Sequence, residues 1–186
     1  MQEIRELNTN QENFQSKFSF FLLSRNKISK EISVIVNKII SEVRENGDQA
    51  LREITKRLDD FDCPTFQVSE TEINAALENF DKELIESFEF AFEQLLDYQK
   101  TCFTSLNLNN SNEQITRKFR VLDSVGMYVP GGKASYPSTV LMGAAPAIAC
   151  GVEQISLSSP TQHGALNPTT LAAAKVAGIK KIYKLG

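Results

Sequence analysis

The sequence predicts an α/β fold: a mainly helical region over residues 1–122, then a strand–helix–strand–helix–strand unit over residues 123–186. Three observations carry that expectation. Composition shifts near residue 122, from charged sequence rich in Phe, Glu, Lys and Asn to sequence rich in Gly, Ala, Pro, Val and Ile. The apolar period shifts at the same place, from steps of three and four residues to alternation. The apolar runs beyond that point stop at glycines and prolines, which punctuate short elements.

In the first region, Ile28, Ile32, Ile35, Val36, Ile39, Ile40 and Val43 form the stripe of an amphipathic helix. Gly47 is suited to end it, and Asp48 to cap a following helix through Leu51, Ile54 and Leu58. A short strand is expected at Phe66, Gln67 and Val68. Ser69 with Glu72 has the spacing of a capping box, in which each side chain takes the other residue's orphan backbone N–H. A longer helix is predicted over Lys82–Cys102, with Leu84, Ile85, Phe88, Phe92, Leu95 and Leu96 inward. Aromatic side chains at helical spacing read as core rather than as a ligand pocket. The polar tract Asn107 to Glu113 reads as a loop.

In the second region, Val125, Met127 and Val129 alternate and stop at Pro130, Gly131 and Gly132. Pro137 suits a first helical turn, because it lacks an N–H that would be unpaired there anyway. The helix then runs through Val140, Leu141, Ala144, Ala147 and Ile148 to Gly151. A strand at Gln154–Ser158, a helix through Leu171, Ala174 and Val176 stopped by Gly178, and a strand over Ile179–Leu185 complete the unit. Short connections of this kind build a Rossmann-like βαβαβ half with parallel strands and right-handed crossovers. The last strand runs to the final residues, so nothing after it covers the sheet or supplies a loop at its carboxyl end. On that ground truncation is expected.

Composition excludes several classes. A net charge of −3 gives no concentrated basic surface for nucleic acid. Cys63, Cys102 and Cys150 are odd in number and far apart, without disulfide or C-x-x-C spacing, and are expected to be reduced thiols. The apolar cluster Phe18, Phe20, Phe21, Leu22, Leu23 is far short of a membrane span or a secretion signal. A cytoplasmic location follows as the expectation.

Candidate chemistry centres on the first strand-to-helix turn, Tyr128, Pro130, Gly131, Gly132 and Lys133. Glycines there let a backbone approach a pyrophosphate, and a helix N-terminus offers N–H donors. The turn is neither G-x-G-x-x-G nor a P-loop: reading from Gly126 to Gly131 puts Gly132 where Lys belongs, and Ala134 follows Lys133. His163, the single histidine, reads as a solvated loop residue, since a metal centre needs several converging ligands. The carboxylates lie mostly on solvated helix faces, and no nucleophile elbow or H-E-x-x-H occurs.

The run Val125-Gly126-Met127-Tyr128-Val129-Pro130-Gly131-Gly132-Lys133-Ala134, continued by Tyr136 to Met142, closely resembles the signature of histidinol dehydrogenases. Asn167-Pro168, Leu171 to Gly178 and Ile182 to Gly186 resemble it too, and Gly47 to Leu51 with Phe61-Asp62 fit the family's N-terminal region. The resemblance implies an enzyme of histidine biosynthesis that uses NAD and zinc. Its reaction is oxidation of L-histidinol through L-histidinal to L-histidine, normally in a homodimer. It implies that residues 123–186 are the NAD-binding half, incomplete at its C-terminus, and that Tyr128 matches the family's NAD-contacting tyrosine. Gly131 and Gly132 match supports of the same turn. The family's Glu–His pair and its Gln, His and Asp zinc ligands fall in segments beyond Gly186. The resemblance therefore gives no catalytic and no metal residue in this chain, and implies that the chain alone is inactive. Two other readings stay open: a non-catalytic nucleotide-binding or subunit-pairing module, and a decayed gene product.

Overall fold

A computed structural model describes residues 6–25, 30–107, 119–131, 134–161 and 164–186. The expectations for Ile28, for the tract from 108 to 113, and for Gly132, Lys133 and His163 lie outside the described residues. The chain forms two compact units, Met1–Leu51 and Arg52–Gly186.

The first unit is helical. Helix α1 spans Phe14–Arg25, where the rings of Phe14 and Phe18 stack with centroids 5.4 Å apart. Helix α2 spans Lys30–Asp59 and is broken at Gly47, whose φ of 54° and ψ of −133° are open to glycine and closed to residues with a Cβ. The glycine thus divides two helical stretches, as the sequence predicts.

The second unit continues with α3 (Glu70–Leu77), α4 (Lys82–Asn107), β1 (Ser124–Tyr128), α5 (Pro137–Ala149), β2 (Gln154–Ser159), α6 (Pro168–Val176) and β3 (Lys181–Lys184). The capping box opens α3: the Glu72 N–H donates to Ser69 Oγ at 3.1 Å, and the Ser69 N–H donates to the Glu72 carboxylate at 3.1 Å. Helices α5 and α6 close alike. The N–H of Gly151 reaches the Ile148 carbonyl and that of Val152 the Ala147 carbonyl, while Gly178 and Ile179 do the same to Lys175 and Ala174. Both glycines have positive φ, the left-handed closure that satisfies a helix's last carbonyls. This corrects the expected start of the last strand: Ile179 is spent closing α6, so β3 begins only at Lys181.

The strands lie parallel in the order β1-β2-β3, with Met127 beside Leu157 and Leu157 beside Ile182. That row faces the core, together with Val140, Leu141 and Ala144 of α5 and Leu171, Ala173 and Ala174 of α6. Both crossovers step in one direction, so right-handedness puts both helices on one face. Phe88, Ala91, Phe92 and Leu95 of α4 pack on the same cluster as a further layer. The other face carries Gly126, Tyr128, Ser156, Ser158 and Tyr183, none of them buried.

The outer edge of β3 is covered, although nothing after the last strand is expected to cover the sheet. The segment Phe66–Val68 runs antiparallel to it: Gln67 bridges Tyr183, the Val68 N–H donates to the Ile182 carbonyl at 2.9 Å, and the Lys184 N–H donates to the Phe66 carbonyl at 2.7 Å. The cover comes from earlier in the chain, not from residues after the strand. Paired backbone groups leave no edge there for another strand.

Candidate functional site

The carboxyl ends of the three strands meet around Pro160. A Cβ added to Gly131, after β1, would lie 2.9 Å from Pro160 Cγ, and one added to Gly186, after β3, would collide with the same ring. Glycine is needed at both positions because the proline fills the space where a side chain would start. The Val129 N–H donates to the Ser158 carbonyl at 2.8 Å, and the Ser158 hydroxyl donates to the Leu185 carbonyl at 2.7 Å. Backbone and side chain together tie the three strand ends into one rim.

Next to this rim lies a cavity of about 240 Å³, lined by Gly131 and Ala134 from the first turn, Ser159 and Pro160 from the end of β2, and Ala165–Pro168 with Thr170 at the start of α6. It is smaller than the 300–1,000 Å³ of common small-molecule pockets, so it suits one part of a larger ligand. Helix α6 begins here with Asn167 as its cap, the Thr169 N–H donating to Asn167 Oδ1 at 2.9 Å. Helix α5 begins nearby at Tyr136, which makes no capping hydrogen bond with its side chain. Two helix N-termini at strand carboxyl ends bring partial positive charge to one side of the sheet.

Tyr128 ends β1 on the face opposite the helices and is 58% exposed. Its flat ring is open to a planar ligand lying along the strand ends. Thr161, directly after Pro160, is buried, and its hydroxyl has no hydrogen-bond partner among the described residues. An unpaired buried hydroxyl costs about 1–3 kcal/mol. The sequence singles out Tyr128, with Gly131 as a support, as candidates, and does not single out Pro160, Thr161 or Asn167, which lie beside Gly131 in the fold. The available signals were position just past a predicted strand for the first two, and an Asn before Pro at a helix start for the third.

A second polar cluster ties α3 to β3. The Lys184 ammonium, buried on the core side, bonds to the Glu72 carboxylate, which also accepts from the Ser69 N–H. Burial works to raise the Glu72 pKa, but the Lys184 and Ser69 hydrogen bonds and the Lys184 charge outweigh it, holding the carboxyl below its ordinary value. Nearby, Cys63 is fully buried and its thiol donates to the Thr65 carbonyl at 3.2 Å. Burial pushes that thiol up, against the opposing charges of Lys184 and Arg52. Among the described residues, no three His, Cys, Asp or Glu side chains converge on a point where they could hold a metal ion. Nor is any described helix long and apolar enough to cross a membrane.

The family model described as histidinol dehydrogenase matches residues 23–186. The chain is 36% identical over 177 residues to a histidinol dehydrogenase of Agrobacterium fabrum, covering 93% of this chain and 41% of the relative. It is 41% identical to one of Methanosarcina mazei, covering 89% of this chain and 39% of that one. The crystal structure of histidinol dehydrogenase from Elizabethkingia anophelis superimposes with a TM-score of 0.72 at 29% identity, covering 86% of this chain and 38% of that chain. The chain thus spans about two fifths of the length of the curated relatives it matches.

Proposed function

This chain belongs to the histidinol dehydrogenase family, and on that premise we propose that it forms the NAD-binding side of an enzyme oxidising L-histidinol through L-histidinal to L-histidine. In this reading residues 123–186 are the nucleotide-binding half and residues 1–122 belong to a larger domain. The enzyme works as a cytoplasmic homodimer on a small molecule, without nucleic acid or membrane as partner.

The observation that carries the reading is the rim around Pro160, where three parallel strands end beside two helix N-termini. The residues there fit a dinucleotide. Tyr128 offers its ring as a stacking surface and its phenol as a hydrogen-bond group. Gly131, pressed against Pro160, leaves backbone free of side-chain bulk on the cavity wall. NAD, when bound, supplies the acceptor for the hydride leaving the substrate carbinol carbon; the residues here bind and orient. Zinc is a different matter: the described residues offer no ligand set for it.

Calorimetric titration of the purified chain with NAD⁺ tests the reading. Binding in the micromolar range that falls at least tenfold in Tyr128→Ala is expected; saturable binding untouched by that substitution would move the site away from β1. The chain alone is expected to give no zinc-dependent NADH from histidinol, and sustained turnover would sink that part of the reading.

A further inference from the structure

We propose that Phe61 is a positioning residue for the nucleotide site, its ring acting as the wedge that sets the start of α6. The inference rests on the reading of that site given above. Gly164, at φ 87°, lies directly against the ring: a Cβ built there would fall among the Phe61 atoms Cε2 and Cζ, and 2.8 Å from Cδ2. The backbone at Gly164 therefore touches the Phe61 ring with no side chain between. From Gly164 the chain goes straight into the cavity wall, through Ala165, the buried Leu166, the helix cap Asn167 and Pro168. A shift of Gly164 is transmitted to the cap and the wall within three residues.

The ring is itself held from both sides. Before it, Asp60 adopts a left-handed φ of 50°, turning the chain sharply after α2. After it, Cys63 is fully buried, Phe66–Val68 pairs with β3, and Glu72 holds Lys184. Lys184 lies two residues before Gly186, which abuts Pro160 on the rim. One strap, residues 60–72, thus reaches the site twice: through the Phe61 ring against the α6 connection, and through β3 against the rim. Of these, the Phe61 contact, at Gly164, lies one residue before the cavity-wall residue Ala165 and does not pass through the sheet.

A double-mutant cycle on the full 186-residue chain tests the wedge. Phe61→Ala is expected to weaken NAD⁺ binding about tenfold and to speed amide exchange across 159–167, while exchange in β1 and α5 keeps its rate. Phe61→Leu, which refills most of the space, is expected to restore most of the affinity. Gly164→Ala is expected to cost more in the native background than in Phe61→Ala, where the vacated ring leaves room for the new methyl. Additive effects, or unchanged exchange across 159–167 with only a lower melting temperature, overturn the proposal. If the native chain does not bind NAD⁺, the nucleotide reading fails, while the exchange rates and melting temperatures of the cycle still decide whether Phe61 sets the connection.

Discussion

Helices α2 and α4 carry the same kind of sequence signal and meet different fates. In α4, Phe88, Ala91, Phe92 and Leu95 turn inward onto the sheet-and-helix core, leaving Phe90 and Tyr98 outside. In α2, Ile32, Ile35, Val36 and Ile40 recur at equally regular helical steps, yet all four stay exposed, Ile35 at 59%. Periodicity tells which face of a helix gains by leaving water. It does not tell whether anything is there to receive it. The receiving surface for α4 is built by α5 and α6, which lie in the same compact unit.

The largest test of that contrast pairs two truncations of similar size. Leu157→Ala removes a fully buried side chain from the central strand and is expected to cost about 2–5 kcal/mol in chemical denaturation. Ile35→Ala is expected to stay within about 0.5 kcal/mol. Equal costs would mean the α2 face is covered in solution. An exposed stripe of this length also favours association. Concentration-dependent mass by light scattering is therefore expected, and Ile35→Lys should reduce it; a monodisperse monomer at every concentration would contradict this.

A smaller effect separates backbone from side chain. Gly178 closes α6 at a φ of 71° with open space around it, so Gly178→Ala meets no steric obstacle and pays only for the left-handed conformation. About 1–2 kcal/mol is expected, read as a lowered denaturation midpoint at unchanged slope. A cost near zero would show that α6 can close another way.

The latch between α3 and β3 gives a pH signature smaller again. The folded Glu72 carboxyl is held below its ordinary value, so its contribution is present above the unfolded carboxylate range, near about pH 4.3. It is lost as pH falls through the lower folded value. Lys184→Met is expected to flatten that acid limb and to lower stability near pH 7 by the same small amount, small because Glu72, 43% exposed, can turn to water. An acid limb unchanged in the variant would assign it to other carboxylates.

The faintest readout is chemical. Cys63 is fully buried with its thiol pKa raised, while Cys102 and Cys150 are half-buried. Alkylation of the folded chain near pH 8 is expected to modify Cys102 and Cys150 and spare Cys63. The raised folded value also means that the Cys63 contribution is intact below the unfolded thiol range and lost as pH rises through the folded value. Rapid labelling of Cys63 would mean that the strap around it opens.

Much of this molecule was legible from residue order. Local rules fixed the break at Gly47, the capping box of Ser69 and Glu72, the start of α5 at Pro137 and the glycine closures at Gly151 and Gly178. Each depends on a few neighbouring residues and on the conformations a backbone allows, so sequence suffices. The alternating and helical periods fixed the α/β class, and the block from Val125 to Ala134 pointed to the family. Tertiary structure alone decided that Phe66–Val68 covers the edge of β3, that Lys184 finds Glu72, that Pro160 gathers three strand ends, and that Phe61 lies on Gly164. Those pairings join residues far apart in the chain. Their partners are chosen by packing geometry and the need to pair buried polar groups, and neither leaves a pattern in the local sequence.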